Sequence, residues 1–164
     1  MRVLGIDPGY AIVGYGIVDC VSNKYNAVGF GAITTPASMD FNDRLEIIFD
    51  YMCEIIKKYR PEQIAIEKLF FNTNNKTVIE VAQARGVILL AAKKWKIPIF
   101  EYTPLQVKQA ITGYGRAEKS QMIEMTRVLL HLETAPKPDD TADALAMAIC
   151  HGQTAGSLLR KIKL

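Results

Sequence analysis

The chain has 164 residues, of which 49% are hydrophobic and 23% charged, and its formal net charge is +3 at pH 7. This length fits one domain with a sizeable core, and the composition is ordinary for a globular protein. No apolar run approaches the roughly 18 residues of a membrane span, and the first residues do not resemble a secretory signal. This small positive net charge permits a nucleic-acid partner but does not demonstrate one.

The cysteines indicate a reducing compartment. Cys20, Cys53 and Cys150 are odd in number, scattered, and without the spacing of a metal site. Reduced thiols are the expected state of such a set. We therefore expect a cytoplasmic protein with no membrane partner.

The N-terminal third predicts an antiparallel meander followed by a helix. Apolar or β-rich runs cover residues 2–7, 13–20 and 25–34. Asn42 or Asp43 is expected to cap a helix that runs to about Tyr59, because apolar residues recur there at helical spacing.

The rest of the chain alternates between helices and strands. It predicts strands at 62–67 and 98–101, a polar loop at 70–76, and helices at 77–94, from Pro104, at 117–131 and at 139–151. A meander followed by this alternation describes an α/β fold, in which a five-stranded mixed sheet has helices on both faces. We expect one domain over residues 1–152, followed by a flexible basic tail at 153–164.

Carboxylates occupy three separate apolar elements of the predicted fold. Asp7 ends an apolar strand before Pro-Gly, and Glu67 ends the run Ile64-Ala65-Ile66. An unpaired charge in a sheet interior costs several kcal/mol or more, so Asp7 needs a cation. If the two strands are parallel neighbours, Asp7 and Glu67 lie at adjacent carboxyl ends, where open α/β sheets place their sites.

The third group of acids opens the last helix. Asp140 and Asp143 are three apart and share a helix face, but Asp139 and Asp143 are i,i+4, so spacing alone does not choose between Asp139 and Asp140. Oxygen ligands of this kind suit Mg²⁺, with Mn²⁺ as a substitute, and two such ions suit displacement at phosphorus.

Each acid also has an ordinary structural explanation. Asp139 could be an N-cap, and Asp143 could be a first-turn acid favoured by the helix dipole. Glu67 could pair with Lys68 or Arg85, and Asp7 could belong to a phosphate-binding turn. One shared cation explains all of these positions together, and we favour it for that reason.

Several motifs together give the chain a specific resemblance. It resembles the RuvC family of Holliday-junction resolvases from residue 3 to about 151, in Gly5-Ile6-Asp7-Pro8-Gly9, Ala65-Ile66-Glu67, Gln83-Ala84-Arg85-Gly86, Gln106-Val107-Lys108-Gln109, Ala117-Glu118-Lys119-Ser120 and the run Asp140–Ala146. The resemblance implies an RNase H-like fold. It also implies that the metal-binding catalytic positions are Asp7, Glu67, Asp140 and Asp143, with Asp140 preferred to Asp139.

The same resemblance implies three DNA-binding residues. Phe70 would stack on an unstacked base near the crossover, and Lys108 and Lys119 would lie near the scissile strand. The ordinary alternatives are an aromatic that anchors its loop and two solvated helix charges. Weaker candidates for phosphate contacts are Asn72, Lys76, Arg85, Arg116, Lys93, Lys94 and Lys96.

The resemblance further implies the substrate and the partners. A homodimer would hold two active sites and nick two strands of like polarity in a four-way junction during recombination and repair. Helix 77–94 is the expected dimer element, because Ala82 and Gly86 would allow close packing on a twin. The RuvA–RuvB machinery is the implied partner. The alternatives are an actin-like kinase or ATPase, an RNase H-type nuclease, and a junction-binding protein without catalysis.

The two histidines have a less specific interpretation. His131 and His151 each lie near the predicted end of a helix, where a cation is favoured. We therefore expect helix-end cations rather than catalytic groups.

Overall fold

A computed structural model of the chain describes residues 1–69 and 77–162. The described elements are β1 (Arg2–Asp7), β2 (Ile12–Val21), β3 (Lys24–Thr34), α1 (Phe41–Tyr59), β4 (Gln63–Glu67), α2 (Val78–Lys94), β5 (Ile99–Tyr102), α3 (Pro104–Thr112), α4 (Lys119–Leu129) and α5 (Asp139–Ile162). The predicted order of strands and helices is confirmed. The predicted loop at 70–76 lies outside the described residues.

Several boundaries differ from the sequence prediction; α4, for example, is two residues shorter at each end than the predicted helix 117–131. The N-cap of α1 is Asp40, whose side chain accepts a hydrogen bond from the backbone N–H of Asn42 at 2.9 Å. The expected caps, Asn42 and Asp43, lie inside the first turn. The last helix, α5, passes its predicted end at 151 and continues to Ile162.

The described strands form one mixed sheet in the order β3-β2-β1-β4-β5. β2 is antiparallel to both β1 and β3, whereas β1 and β5 are parallel to β4. Ile6 pairs with Ile66, so Asp7 and Glu67 follow at the carboxyl ends of neighbouring parallel strands. The predicted five-stranded α/β fold and this placement of the two acids are confirmed.

Side-chain alternation gives the sheet two apolar faces. Val3 and Ala65 join the cluster that α3, α4 and α5 cover. Leu4, Ile64 and Ile66 join the opposite cluster, beneath α1 and α2. Because alternate residues of a strand point to opposite faces, Asp7 and Glu67 share the face of Val3 and Ala65.

Glycines let α5 approach the sheet closely. A Cβ atom at Gly5 would lie 1.9 Å from the carbonyl oxygen of Ala144, and one at Gly14 would lie 2.0 Å from that of Asp140. Contacts this short are impossible for real atoms. The backbone of α5 therefore rests directly on β1 and β2, and this contact sets the height of its first turn above Asp7.

Helix α2 lies on the other face and leaves one side uncovered. Ala84, Ile88 and Ala91 are buried against the sheet and α1. Ile79 is 71% exposed and Leu90 is 60% exposed, and a Cβ atom at Gly86 would meet no atom of the described residues within 4 Å. No helix in the described ranges is long and apolar enough to cross a membrane.

Candidate active site

Strand geometry places the first two acids of the site. Asp7 and Glu67 are the last residues of β1 and β4, and both point to the face covered by α5. Among residues 1–69 and 77–156, whose side chains the structure describes, neither carboxylate forms a salt bridge. The alternative that Glu67 pairs with Lys68 or Arg85 is therefore wrong for its carboxylate, although Arg85 does bind its backbone.

The first turn of α5 supplies the remaining acids. Asp140 packs against Gly14, and Gly14 is the β2 partner of Asp7 in the sheet. Asp143 lies one turn further along the helix. Because α5 packs against Gly14, the acids of its first turn lie near the end of β1, which holds Asp7.

One cleft collects three of the four predicted acids. It has a volume of about 270 Å³ and is lined by Asp7, Glu67, Asp143, Lys108, Lys119, Pro104, Val107, Met122 and Met147. Asp140 does not line this cleft but raises the pKa of Asp7 by charge repulsion, so it lies within electrostatic reach. The sequence did not reveal the apolar wall, because its residues come from three different helices.

Burial and mutual repulsion act on the carboxylates. The pKa of Asp7 rises to about 8, first because of burial and then because of Asp143, Glu67 and Asp140. Burial, followed by repulsion from Asp143, also raises the pKa of Glu67. Raised values of this kind mark acids that lack enough positive charge around them.

Lys119 supplies part of that positive charge. Its ammonium lies 3.1 Å from the carboxylate of Asp143 and 3.7 Å from that of Asp139. Burial raises the pKa of Asp143, and Lys119 opposes the rise. Asp139, considered above as a plain N-cap, is the first residue of α5 and pairs with Lys119.

The donor chemistry of the cleft fits a hard divalent cation. Carboxylate oxygens from β1, β4 and α5 are the ligands that Mg²⁺ and Mn²⁺ prefer. Within the described part of the chain, however, no three His, Cys, Asp or Glu side chains are already gathered into a group that could hold one ion. Repulsion among the acids opposes such a group until a cation offsets it.

The other predicted functional residues have different outcomes. Lys108 lines the cleft from α3, and Lys119 lines it from α4. Phe70 lies outside the described residues. Arg85, a weaker candidate for a phosphate contact, donates from Nε to the backbone oxygen of Glu67 and pairs with Glu101.

A five-stranded mixed sheet of this order, with acids of α5 beside acids at the carboxyl ends of the interior strands β1 and β4, is typical of one class of protein: the metal-dependent nucleases with an RNase H-like fold. Comparison with known proteins narrows this class. Residues 3–151 match the family model described as crossover junction endodeoxyribonuclease RuvC. The chain belongs to the RuvC family and is a metal-dependent endodeoxyribonuclease.

Individual relatives agree with the family assignment. The crossover junction endodeoxyribonuclease RuvC of Halothermothrix orenii is 58% identical over 154 residues, which cover 94% of this chain and 93% of the relative. The solved structure of Thermus thermophilus RuvC is 35% identical, with a TM-score of 0.88 and 96% of each chain covered. A second T. thermophilus RuvC structure, in complex with a Holliday junction substrate, is 33% identical, with a TM-score of 0.87 and 96% of each chain covered.

Proposed function

We propose that this chain resolves four-way DNA junctions by paired, symmetric nicks in two strands of like polarity during recombination and repair. Asp7, Glu67, Asp140 and Asp143 are its metal ligands and catalytic residues. The observation that carries the proposal is the convergence of acids from β1, β4 and α5 on a cleft that also holds Lys108 and Lys119. The T. thermophilus relative in complex with a Holliday junction supports the choice of substrate.

The proposed cofactor is Mg²⁺, with two ions in each site and Mn²⁺ as a substitute. Bound divalent ions supply Lewis-acid activation of water and stabilise the leaving oxygen in displacement at phosphorus. Asp7 and Glu67 hold their side of the site from rigid strand ends, and Asp140 and Asp143 hold the other side from α5. Water adds to phosphorus, the bond to the 3′ oxygen breaks, and the products carry a 5′-phosphate and a 3′-hydroxyl.

Three further residues bind the DNA in this proposal. Lys108 and Lys119 face the cleft, where their ammonium groups can bind phosphate oxygens of the cleaved strand. Phe70 stacks on an unpaired base near the crossover, and such a stack contributes about 1–3 kcal/mol. Its support comes from the family motif that follows Glu67 in the sequence.

The proposed dimer uses the uncovered side of α2. Ile79, Gly86 and Leu90 lie on that side, and an exposed apolar stripe of this kind is typical of a helix that packs on a partner. A two-fold dimer would present two active sites to the two strands of a junction. Leu90→Glu should halve the mass measured by sedimentation, whereas Val128→Glu on α4 should not change it.

The remaining assignments rest on the family and the composition. The RuvA–RuvB complex is the proposed partner, and the cytoplasm is the proposed compartment. We place the nuclease in residues 1–152 and a basic tail at 153–164, although α5 runs across this boundary. A chain truncated after Gly152 should still cleave junctions if that division holds.

The decisive experiment compares matched four-way, duplex and RNA–DNA hybrid substrates in Mg²⁺. We expect paired nicks in the four-way junction and little cleavage of the other two substrates. Asp7→Asn should abolish cleavage and keep junction binding, and Asp50→Asn, an exposed acid on α1, serves as the control. Preferred cleavage of the hybrid would instead support the RNase H-type alternative.

A further inference from the structure

Arg85 joins three elements of the fold beneath the active site. Its side chain is only 12% exposed. Nε donates a hydrogen bond to the backbone oxygen of Glu67 at 3.3 Å, and Nη2 pairs with the carboxylate of Glu101. The guanidinium of an α2 residue therefore fastens the end of β4 to β5.

The backbone of Glu67 needs such support because it ends its strand. The ladder between β1 and β4 stops at Ile66, one residue earlier. The next backbone N–H, that of Lys68, donates to the oxygen of Tyr102 at 2.9 Å, which holds one side of the Glu67–Lys68 peptide. Arg85 holds the oxygen of the same peptide, so the hydrogen-bonding groups of this unit are satisfied on both sides.

Glu67 is approached from opposite faces of the sheet. Its carboxylate lies in the cleft beside α5, whereas Arg85 reaches the backbone from α2. We propose that Arg85 is a positioning residue for the metal site: it fixes the Glu67 peptide and thereby aims the carboxylate. This inference rests on the proposed role of Glu67 as a metal ligand.

The bonding of Arg85 favours this role over direct contact with DNA. A planar guanidinium directs several N–H groups along fixed directions, and here those groups serve Glu101 and Glu67. Glu101 compensates the charge, and most of the side chain is covered. A lysine carries the same charge but has no planar fork, so Arg85→Lys should restore the positioning only in part.

The test measures Mn²⁺ binding to the free protein by electron paramagnetic resonance, together with the Mg²⁺ concentration that gives half-maximal junction cleavage. Arg85→Gln should raise the Kd for Mn²⁺ and the Mg²⁺ requirement about 10-fold or more, as is usual when a residue supporting a metal ligand is lost. Arg85→Lys should give a smaller rise. Junction binding without metal should stay at the wild-type level.

Arg127 offers a matched control. It also pairs with a glutamate, Glu124, and donates to a backbone oxygen, that of Leu132 at 2.8 Å, but Leu132, unlike Glu67, is not a residue of the cleft. Arg127→Gln should leave Mn²⁺ binding unchanged. Glu101→Gln removes the ion pair and leaves Arg85 beside Glu67, so it should raise the Kd less than Arg85→Gln does.

Two results would overturn the inference. One is wild-type Mn²⁺ binding in Arg85→Gln, or, if that variant does not fold, in both Arg85→Lys and Glu101→Gln. The other is weaker metal-free junction binding with a flatter salt dependence and an unchanged metal requirement, which would identify Arg85 as a phosphate contact. Glu67→Gln separates the two proposals: if it leaves Mn²⁺ binding unchanged, the proposed ligand set itself is wrong.

Discussion

The ammonium of Lys119 lies 3.1 Å from the carboxylate of Asp143, within the cleft that also holds Asp7 and Glu67. The Lys119 ammonium therefore lies beside a carboxylate that we propose as a ligand of the metal ion. Both side chains are more than a third exposed, so this ion pair contributes less than about 1 kcal/mol to stability. Its larger effect is that the Lys119 ammonium offsets part of the negative charge in the cleft, which is the charge that attracts a metal ion.

Replacing Lys119 should change metal binding and cleavage in opposite directions. Lys119→Met removes a positive charge next to Asp143, so Mn²⁺ should bind the free protein a few times more tightly. Cleavage should fall nevertheless, because a phosphate contact is lost. Lys108→Met is the matched control: it should lower cleavage and the salt dependence of junction binding with a smaller effect on the Kd for Mn²⁺. Weaker Mn²⁺ binding in Lys119→Met would contradict the idea that the Lys119 ammonium opposes binding of the metal ion beside Asp143.

Asp7 should make the metal-free protein less stable as the pH rises. Its pKa is about 8 in the folded protein and about 3.8 ordinarily, so between these values the folded state binds more protons than the unfolded state. Stability then decreases with pH across this window. Asp7→Asn removes the effect, and its Tm should exceed that of the wild type by a margin that grows from pH 4 to pH 8.

The expected Tm difference between Asp7→Asn and the wild type is about 2–8 °C at pH 8. This difference corresponds to about 1–2 kcal/mol in a chain of this length. Thermal unfolding followed by circular dichroism in EDTA measures it, and Asp50→Asn is the control. Saturating Mg²⁺ should stabilise the wild type but not Asp7→Asn. A margin that shrinks as the pH rises would rule out the raised pKa.

Gly14→Ala should disturb both the fold and the site. The added Cβ would lie 2.0 Å from the backbone oxygen of Asp140, and α5 would have to move away from β2. We expect a loss of about 1–3 kcal/mol and weaker Mn²⁺ binding in the fraction that folds.

Gly29→Ala is the comparison for this substitution. A Cβ there would lie 2.5 Å from the hydroxyl oxygen and 2.7 and 2.8 Å from two ring carbons of Tyr59, which belong to the outer end of a side chain rather than to backbone and can shift with it. Denaturant titrations should therefore show a smaller loss for Gly29→Ala than for Gly14→Ala. Equal losses of stability would mean that the backbone contact at Gly14 tolerates a methyl group no worse than the side-chain contact at Gly29.

His151 should make the protein less stable at low pH. It is 2% exposed, and burial lowers its pKa below the ordinary 6.5. Below about pH 6.5 the unfolded chain takes up a proton that the folded protein resists, so stability should decrease as the pH falls through this range. Asp7 titrates with the opposite sign, and each comparison must therefore be made at a single pH.

The appropriate variant is His151→Gln, which does not titrate. Its Tm should lie below that of the wild type at pH 8, because hydrogen bonds to Tyr102 and Gln63 are lost, and the gap should narrow toward pH 5. His131→Asn, at an exposed position with φ 54°, is the control and should show no such narrowing. A gap that widens toward pH 5 would contradict the burial of a neutral imidazole.

Local sequence patterns were sufficient to predict the strands and the strand acids. The apolar run Ile64-Ala65-Ile66 was enough to predict a strand that ends at Glu67, and the structure gives β4 the bounds Gln63–Glu67. The predicted start of a helix at Pro104 was equally local, since Pro104 begins α3 and the preceding Thr103 accepts a hydrogen bond from the backbone N–H of Gln106. Each of these features depends on residues a few positions apart.

Features that depend on distant residues were not predictable. His151 was expected to be a cation at a helix end, but α5 continues past it, and its imidazole is buried against Phe100 and Tyr102 of β5. Because the Gln63 oxygen can only accept, Nε2 of His151 carries the proton, and Nδ1 accepts from the hydroxyl of Tyr102 at 2.6 Å. These partners lie 49 and 88 residues away in the chain. The sequence suggested that Arg85 could pair with Glu67, but it did not reveal that the bond goes to the Glu67 backbone or that Glu101 is the ion-pair partner.

The bare contact between α5 and the strand glycines has a consequence for how this enzyme can adapt. Most cores absorb a substitution by repacking neighbouring side chains, but Gly5 and Gly14 meet backbone atoms that have no rotamers to change. The layer of α1 and α2 is less restricted, because Ile48, Met52 and Ile88 there can be exchanged for other shapes. At Gly5 and Gly14, by contrast, the sheet has little freedom to vary without displacing the helix that carries the acids.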